Sequence, residues 1–176
     1  MRKDSRIDFM TNKLYTLGYE SAAIEDFVVT LKVAHIERII DVRDYPLSRR
    51  KGFSKNVLRT LLQANDIDYV HLKGLGDPKE GREAARAGDH EKFLHIFTSH
   101  MQTAAAMTDL ETAIDLAKTR VSCLLCYERN PTECHRTIVA KAIAANTGQA
   151  IQSLGVQKDI ARIKHFQITF PEEVNA

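Results

Sequence analysis

No apolar run in this chain is long enough to cross a bilayer, and the basic start Met1-Arg2-Lys3-Asp4-Ser5-Arg6 is not followed by the apolar stretch and small-residue cleavage site of a secretory leader. The expectation is a cytoplasmic protein with no membrane partner. Neither sign of charge is in large excess: 25 lysines and arginines against 23 aspartates and glutamates leave a formal +2 and a pI of about 8.4. That is too mild to indicate nucleic acid by itself, so any basic surface has to be local. Cysteine is scarce and odd in number, 3 in 176 residues, which argues against a disulfide scaffold in a chain able to build its own core. Internal repeats and low-complexity segments are also missing. What remains is ordinary globular composition, 44% hydrophobic and 27% charged, at the length of one domain. Residues 1–12 read as a polar arm and residues 13–176 as a single domain.

Short apolar runs alternate with amphipathic ones. Lys13 to Glu20 is strand-like and ends in a glycine turn, after which Ser21 is placed to cap a helix through His35. A strand from Ile36 to Val42 leads into a basic loop, and Ser54 is placed to cap a helix whose core positions are Val57, Leu58, Leu61 and Leu62. Ile67 to Leu72 is a third strand, opening into Gly74-Leu75-Gly76-Asp77-Pro78. Residues 80–120 are mostly helical, with breaks around Gly88-Asp89 and Thr103 to Thr108. Val121 to Leu125 forms a fourth strand and Ala150 to Leu154 a fifth, with a helix near Lys158 to Lys164. Such alternation predicts an α/β fold, a mostly parallel sheet of about five strands with helices on both faces.

The densest chemistry lies where the fourth strand passes into the next helix, over Cys126-Tyr127-Glu128-Arg129-Asn130-Pro131-Thr132-Glu133-Cys134-His135-Arg136. With Thr132 as N-cap, Cys134, His135 and Arg136 fall in the first helical turn, where unpaired amides and the helix dipole favour an anion. A thiol there is expected to ionise more readily than in water. Cys123, inside the apolar strand, reads as a core residue.

In parallel α/β folds ligands bind outside the carboxyl ends of the strands. The residues at those ends are Gly18-Tyr19-Glu20, Asp41-Val42-Arg43, His71, Gly74-Leu75-Gly76, and Cys126 and Glu128 with Cys134-His135-Arg136. The candidate catalytic residues are Cys134, Cys126 and His135, and the candidate substrate-binding residues are Tyr19, Glu20, Asp41, Arg43, Ser48, Phe53, Glu128 and Arg136. Arg136 and Arg43 serve equally well as anion clamps or as partners of Asp41, Glu20 and Glu128 in a buried network.

Several of these segments together resemble the uncharacterised family called domain of unknown function 488. They are Leu14-Tyr15-Thr16-Leu17-Gly18-Tyr19, Asp41-Val42-Arg43 with Pro46 and Ser48, Gly52-Phe53-Ser54, Leu75-Gly76, Gly88-Asp89, and Leu125-Cys126-Tyr127-Glu128 followed by Cys134-His135-Arg136. The resemblance runs in order from about Leu14 to Gly148 and implies a compact α/β domain, but no established reaction.

Three functions follow from the residues. The first is a thiol-dependent enzyme acting on a phosphate- or carboxylate-bearing small molecule, with Cys134 or Cys126 as thiolate and His135 as base or orienter. A phosphatase is disfavoured, because Cys134-His135-Arg136 lacks the longer loop that wraps a phosphate. The second is a nucleotide- or nucleic-acid-binding module using Arg43, Arg49, Arg50, Lys51, Lys55 and Arg59, with Tyr45 and Phe53 to stack bases. The third is a small zinc site at Cys126, Cys134 and His135 with Glu128 as oxygen ligand, although the spacing shows no two ligand pairs and so assigns no metal ligands. Nothing in the sequence identifies a cofactor.

Overall fold

Strand side chains alternate between two apolar layers, and that alternation builds the molecule. In the computed structural model, which describes residues 12–172, five strands run all parallel: β1 (Lys13–Gly18), β2 (Arg38–Asp41), β3 (Asp68–His71), β4 (Ser122–Cys126) and β5 (Ala150–Leu154). Their order is β3-β2-β4-β1-β5. The expected arm over residues 1–12 lies outside the described residues apart from Asn12.

On one face Leu17, Ile39, Tyr69, Cys123 and Leu125 pack beneath α1 (Ile24–Val33) and α2 (Lys55–Gln63). On the other, Leu14, Ile40, Val42 and Leu124 pack beneath α3 (Lys79–Arg86), α4 (His90–His100), α5 (Ala104–Thr119) and α6 (His135–Thr147). A last short helix, α7 (Ile160–Ile163), is tied to α1 by the buried Asp26 carboxylate, which accepts from the amides of Asp159 and Ala161. No helix among the described residues is long and apolar enough to cross a membrane.

Where helix starts differ from expectation, a turn has taken over the capping residue. Ser21 is not a cap: it sits at φ 62° in the turn after β1, and α1 begins only at Ile24. His35, expected inside α1, instead ends it with φ 54°, and Ile36 N–H closes back on Leu31 O at 2.9 Å. Ser54 occupies the N-cap position of α2, yet its hydroxyl is spent on the loop, accepting from Ser48 N–H at 3.1 Å and donating to Ser48 O at 3.2 Å. Asp89 and Thr103 do cap α4 and α5, at the two breaks the sequence marks. Thr132 is not the cap of α6. Pro131–Glu133 forms a 3-10 turn capped by Asn130, and Cys134, extended at φ −125° and ψ 137°, is the N-cap itself.

One close approach places the connection after β4. A Cβ at Gly18 would stand 1.7 Å from the Glu128 carbonyl oxygen, so only glycine lets this loop lie over the end of β1. Gly18→Ala is therefore expected to cost at least about 3 kcal/mol in urea unfolding. Gly88→Ala is the comparison: it faces open space with φ +75°, and is expected to cost about 1 kcal/mol of backbone strain alone. Equal losses for the two would refute the packing explanation.

Candidate functional site

The connections leaving β2 and β4, which are neighbours in the sheet, go to opposite faces: β2 leads to α2 on one side and β4 to α6 on the other. This is a topological switch point, where a crevice opens at the carboxyl edge. His135, the first residue of α6, bridges it, with its Nε2 2.7 Å from the Val42 carbonyl just past β2. A carbonyl only accepts, so Nε2 carries the proton and Nδ1 is left facing the other way.

What Nδ1 faces is a compact cluster. Cys126 Sγ lies 3.6 Å and Cys134 Sγ 3.9 Å from His135 Nδ1, and the two sulfurs lie 2.9 and 3.2 Å from Glu128 Oε2. One ligand atom from each of the four residues falls within 4.8 Å of all the others. Cys126, Cys134 and His135 are buried and Glu128 is half-buried. Cys123 points into the opposite apolar layer and takes no part.

Burial sets the acid–base character. It pushes the Cys126 thiol up, and the Cys134 thiol well up with a further contribution from neighbouring Cys126. The readily ionised Cys134 expected from a helix N-terminus is thus not found, because the residue caps the helix from inside the protein. Burial opposes the Glu128 anion, yet the two thiols and His135 hold its carboxyl below the usual range. Burial likewise opposes a charged His135, but the Cys134 sulfur, the Val42 carbonyl and Asp77 raise it to about 9.

The β2 side is a locked network. Arg43 Nε and NH2 grip Asp41 at 2.9 and 2.6 Å, while NH1 donates to Tyr19 Oη at 3.0 Å and to Phe53 O at 2.9 Å. Tyr69 Oη donates to the same Asp41 at 2.5 Å, and the Tyr19 ring stacks on Phe53 at 4.4 Å. Asp41 and Phe53 are fully buried. Arg43 therefore has its donors satisfied inside the protein, and the structure realises the buried-network alternative for it. Arg136 differs: fully buried and in no ion pair among the described residues, it donates from NH1 and NH2 to the carbonyls of Glu128 and Arg129 and so holds the β4–α6 connection, while its Nε has no partner. Glu20 braces that connection too, accepting from Arg129 N–H at 3.0 Å.

Between the two halves opens a cavity of about 730 Å³, whose walls include Tyr19, Arg43, Ser48, Cys126, Glu128 and His135. Its outer wall is the 44–50 loop and α3, held together by Arg82, which donates to Asp44 at 2.9 Å and to Asp77 O at 2.5 Å. Of the basic run, Arg49 and Arg50 line the cavity, but Arg50 is occupied by Ala22 O at 2.6 Å. Lys51, Lys55 and Arg59 lie outside it, the Arg59 guanidinium resting over the Tyr69 ring at 5.6 Å. Sequence reasoning missed Asp77, Arg82 and Arg86, which also line the cavity. The one available signal was Asp77-Pro78 directly after two glycines at a strand end.

Fold and site together define an α/β domain with a Cys/His/Glu cluster set at its switch point. The chain belongs to the family described as Domain of unknown function DUF488, which it matches over residues 23–143. No curated protein and no solved structure matches it.

Asp77 gives the site a pH signature. Its Oδ1 is buried without a hydrogen-bond partner, and burial raises its carboxyl to about 6 from an ordinary 3.8. A raised acid is protonated in both folded and unfolded chains below its unfolded value and ionised in both above its folded value. Its penalty on folding thus grows as pH rises from about 4 to about 6. Asp77→Asn removes that penalty, so the variant's melting temperature relative to wild type should climb between pH 4 and pH 7. A constant difference across that range would contradict this assignment.

Proposed function

We propose that this domain binds a zinc-like divalent transition-metal ion through Cys126, Glu128, Cys134 and His135. One observation carries the reading: four ligand atoms from four residues converge within 4.8 Å. With Zn–S of about 2.3 Å and Zn–N of about 2.0–2.1 Å, sulfur and nitrogen across a tetrahedral ion stand about 3.5 Å apart. The sulfur–nitrogen separations found are 3.6 and 3.9 Å, while Glu128 Oε2, at 2.9 and 3.2 Å from the sulfurs, sits at thiol hydrogen-bond distance and would move outward to admit an ion. The Val42 carbonyl supports the same reading, since holding the Nε2 proton makes Nδ1 the nitrogen that would give up its proton to the ion. Two sulfurs, an imidazole and one carboxylate form a donor set suited to zinc rather than magnesium or calcium.

A free-thiolate nucleophile is the weaker reading, because burial holds the protons on Cys126 and Cys134. An ion would expel them on binding. Glu128 is the least buried of the four and the one hard ligand, and it lines the cavity, so it is the ligand that an incoming molecule would displace.

Protein purified under reducing conditions without added metal, or reconstituted with zinc and dialysed, should carry about one ion per chain by elemental analysis. Cys126→Ser and Cys134→Ser should each lose at least about tenfold in zinc affinity, whereas Cys123→Ser should keep it. Folded wild-type protein that takes up neither zinc nor cobalt would overturn the proposal.

A further inference from the structure

The cavity over the cluster has recognition features that the cluster does not use. Its rim carries Tyr45, Leu47 and Tyr127, which are 69%, 64% and 44% exposed. Isolated exposed apolar residues are ordinary, but three around one opening form a surface for a flat ring. Beside them stand Arg49 and Arg86, both exposed, lining the same cavity and making no hydrogen bond or ion pair among the described residues. The other cavity arginines are occupied, Arg43 by Asp41, Arg50 by Ala22 O and Arg82 by Asp44. Unpaired guanidinium groups are forks that match phosphate oxygens. A volume of about 730 Å³ is that of a small-molecule site.

We infer that this cavity binds a nucleotide-class small molecule, a planar ring system bearing a phosphate group. The ring lies against Tyr45, Leu47 and Tyr127, and the phosphate lies at Arg49 and Arg86. The inference deepens the metal reading, in that the ligand would lie beside Glu128 on the open side of the centre, but ring and phosphate recognition uses none of the four proposed metal ligands. A nucleic-acid strand fits less well. The basic run does not form a continuous track, since Lys51, Lys55 and Arg59 fall outside the cavity.

The test is calorimetric titration of zinc-loaded and of metal-free protein with adenosine 5′-monophosphate, adenosine, inorganic phosphate and a short single-stranded oligonucleotide. The monophosphate should bind at least about tenfold more tightly than adenosine or phosphate alone. The double variant Arg49→Ala, Arg86→Ala should lose at least about tenfold of that affinity, with zinc content and melting temperature unchanged. Tyr45→Ala should weaken adenosine and the monophosphate but leave phosphate unaffected. No binding of the monophosphate at millimolar concentration to either form, an unaffected double variant, or tighter and strongly salt-dependent binding of the oligonucleotide would each overturn the inference. Binding to a protein that refuses zinc would uphold it while the metal reading falls. A zinc-loaded protein that ignores the monophosphate would do the reverse.

Discussion

A guanidinium with no access to water draws the backbone around it inward, and Arg136 is such a group, with NH1 and NH2 met by carbonyls and Nε left without a partner. An unpaired charge in an apolar interior costs several kcal/mol, so the chain near Arg136 is not free to choose its path. The carbonyls of Glu128 and Arg129 turn inward to meet its NH1 and NH2. That turn brings the Glu128 carbonyl against β1, where Gly18 offers no side chain to resist it. With its backbone held, the Glu128 side chain is directed toward Cys126 and Cys134. The position of the carboxylate therefore follows from a buried arginine eight residues along the chain, although that arginine touches neither thiol through any hydrogen bond described.

The other half of the crevice is built on the same principle with opposite parts. Asp41 is a fully buried carboxylate at the end of β2, and Arg43 and Tyr69 surround it with donors. Burial opposes the Arg43 charge, but Asp41 holds it on and raises the guanidinium further. A network this complete is rigid, because moving any member leaves another unsatisfied. It fixes Val42 between Asp41 and Arg43, and the Val42 carbonyl in turn fixes the His135 ring. Two separate buried ion or dipole networks, one on each face of the sheet, thus orient the cluster from both sides.

The alternation of strands and helices was legible because each strand carries its own apolar faces, visible one residue at a time. Strand order was not, since pairing β2 with β4 and β1 with β5 depends on contacts between distant segments. The cluster residues were legible from Cys126 to Arg136, but their convergence stood only as the third alternative: spacing on a line does not compel the two cysteines to meet, while a 3-10 turn at Pro131–Glu133 folds the second back onto the first. Ser21 and Thr132 misled as caps for a related reason. A serine that adopts a left-handed turn, or a threonine inside a 3-10 turn, has the residue type of a cap without its geometry. The thiol acidity expected of Cys134 failed on magnitude. A helix terminus supplies about 0.3–1 kcal/mol at an exposed position, less than the cost of burying a thiolate. Arg82 and Arg86 gave no sign at all, since on a helix as polar as α3 two arginines read as an ordinary solvated face.

Charge balance links the proposed ion to the surface around it. Two thiolates and a carboxylate would bring three negative charges to a neutral imidazole, and a dication offsets two of them. The cavity side holds the half-buried Glu128, and Asp77 adds no charge there until it ionises at about 6. Of the arginines lining that cavity, Arg43 and Arg82 are already paired with Asp41 and Asp44. The positive charge with no carboxylate partner is on Arg49, Arg50 and Arg86, and of these Arg50 is committed to the Ala22 carbonyl, which leaves the Arg49 and Arg86 side chains without a partner among the described residues. With the proposed ion bound, a ligand in the cavity would meet two fields of the same sign, the metal at the floor and the guanidinium pair at the rim. An anionic ligand would then be held by both, whereas a neutral ring would be held only by Tyr45, Leu47 and Tyr127.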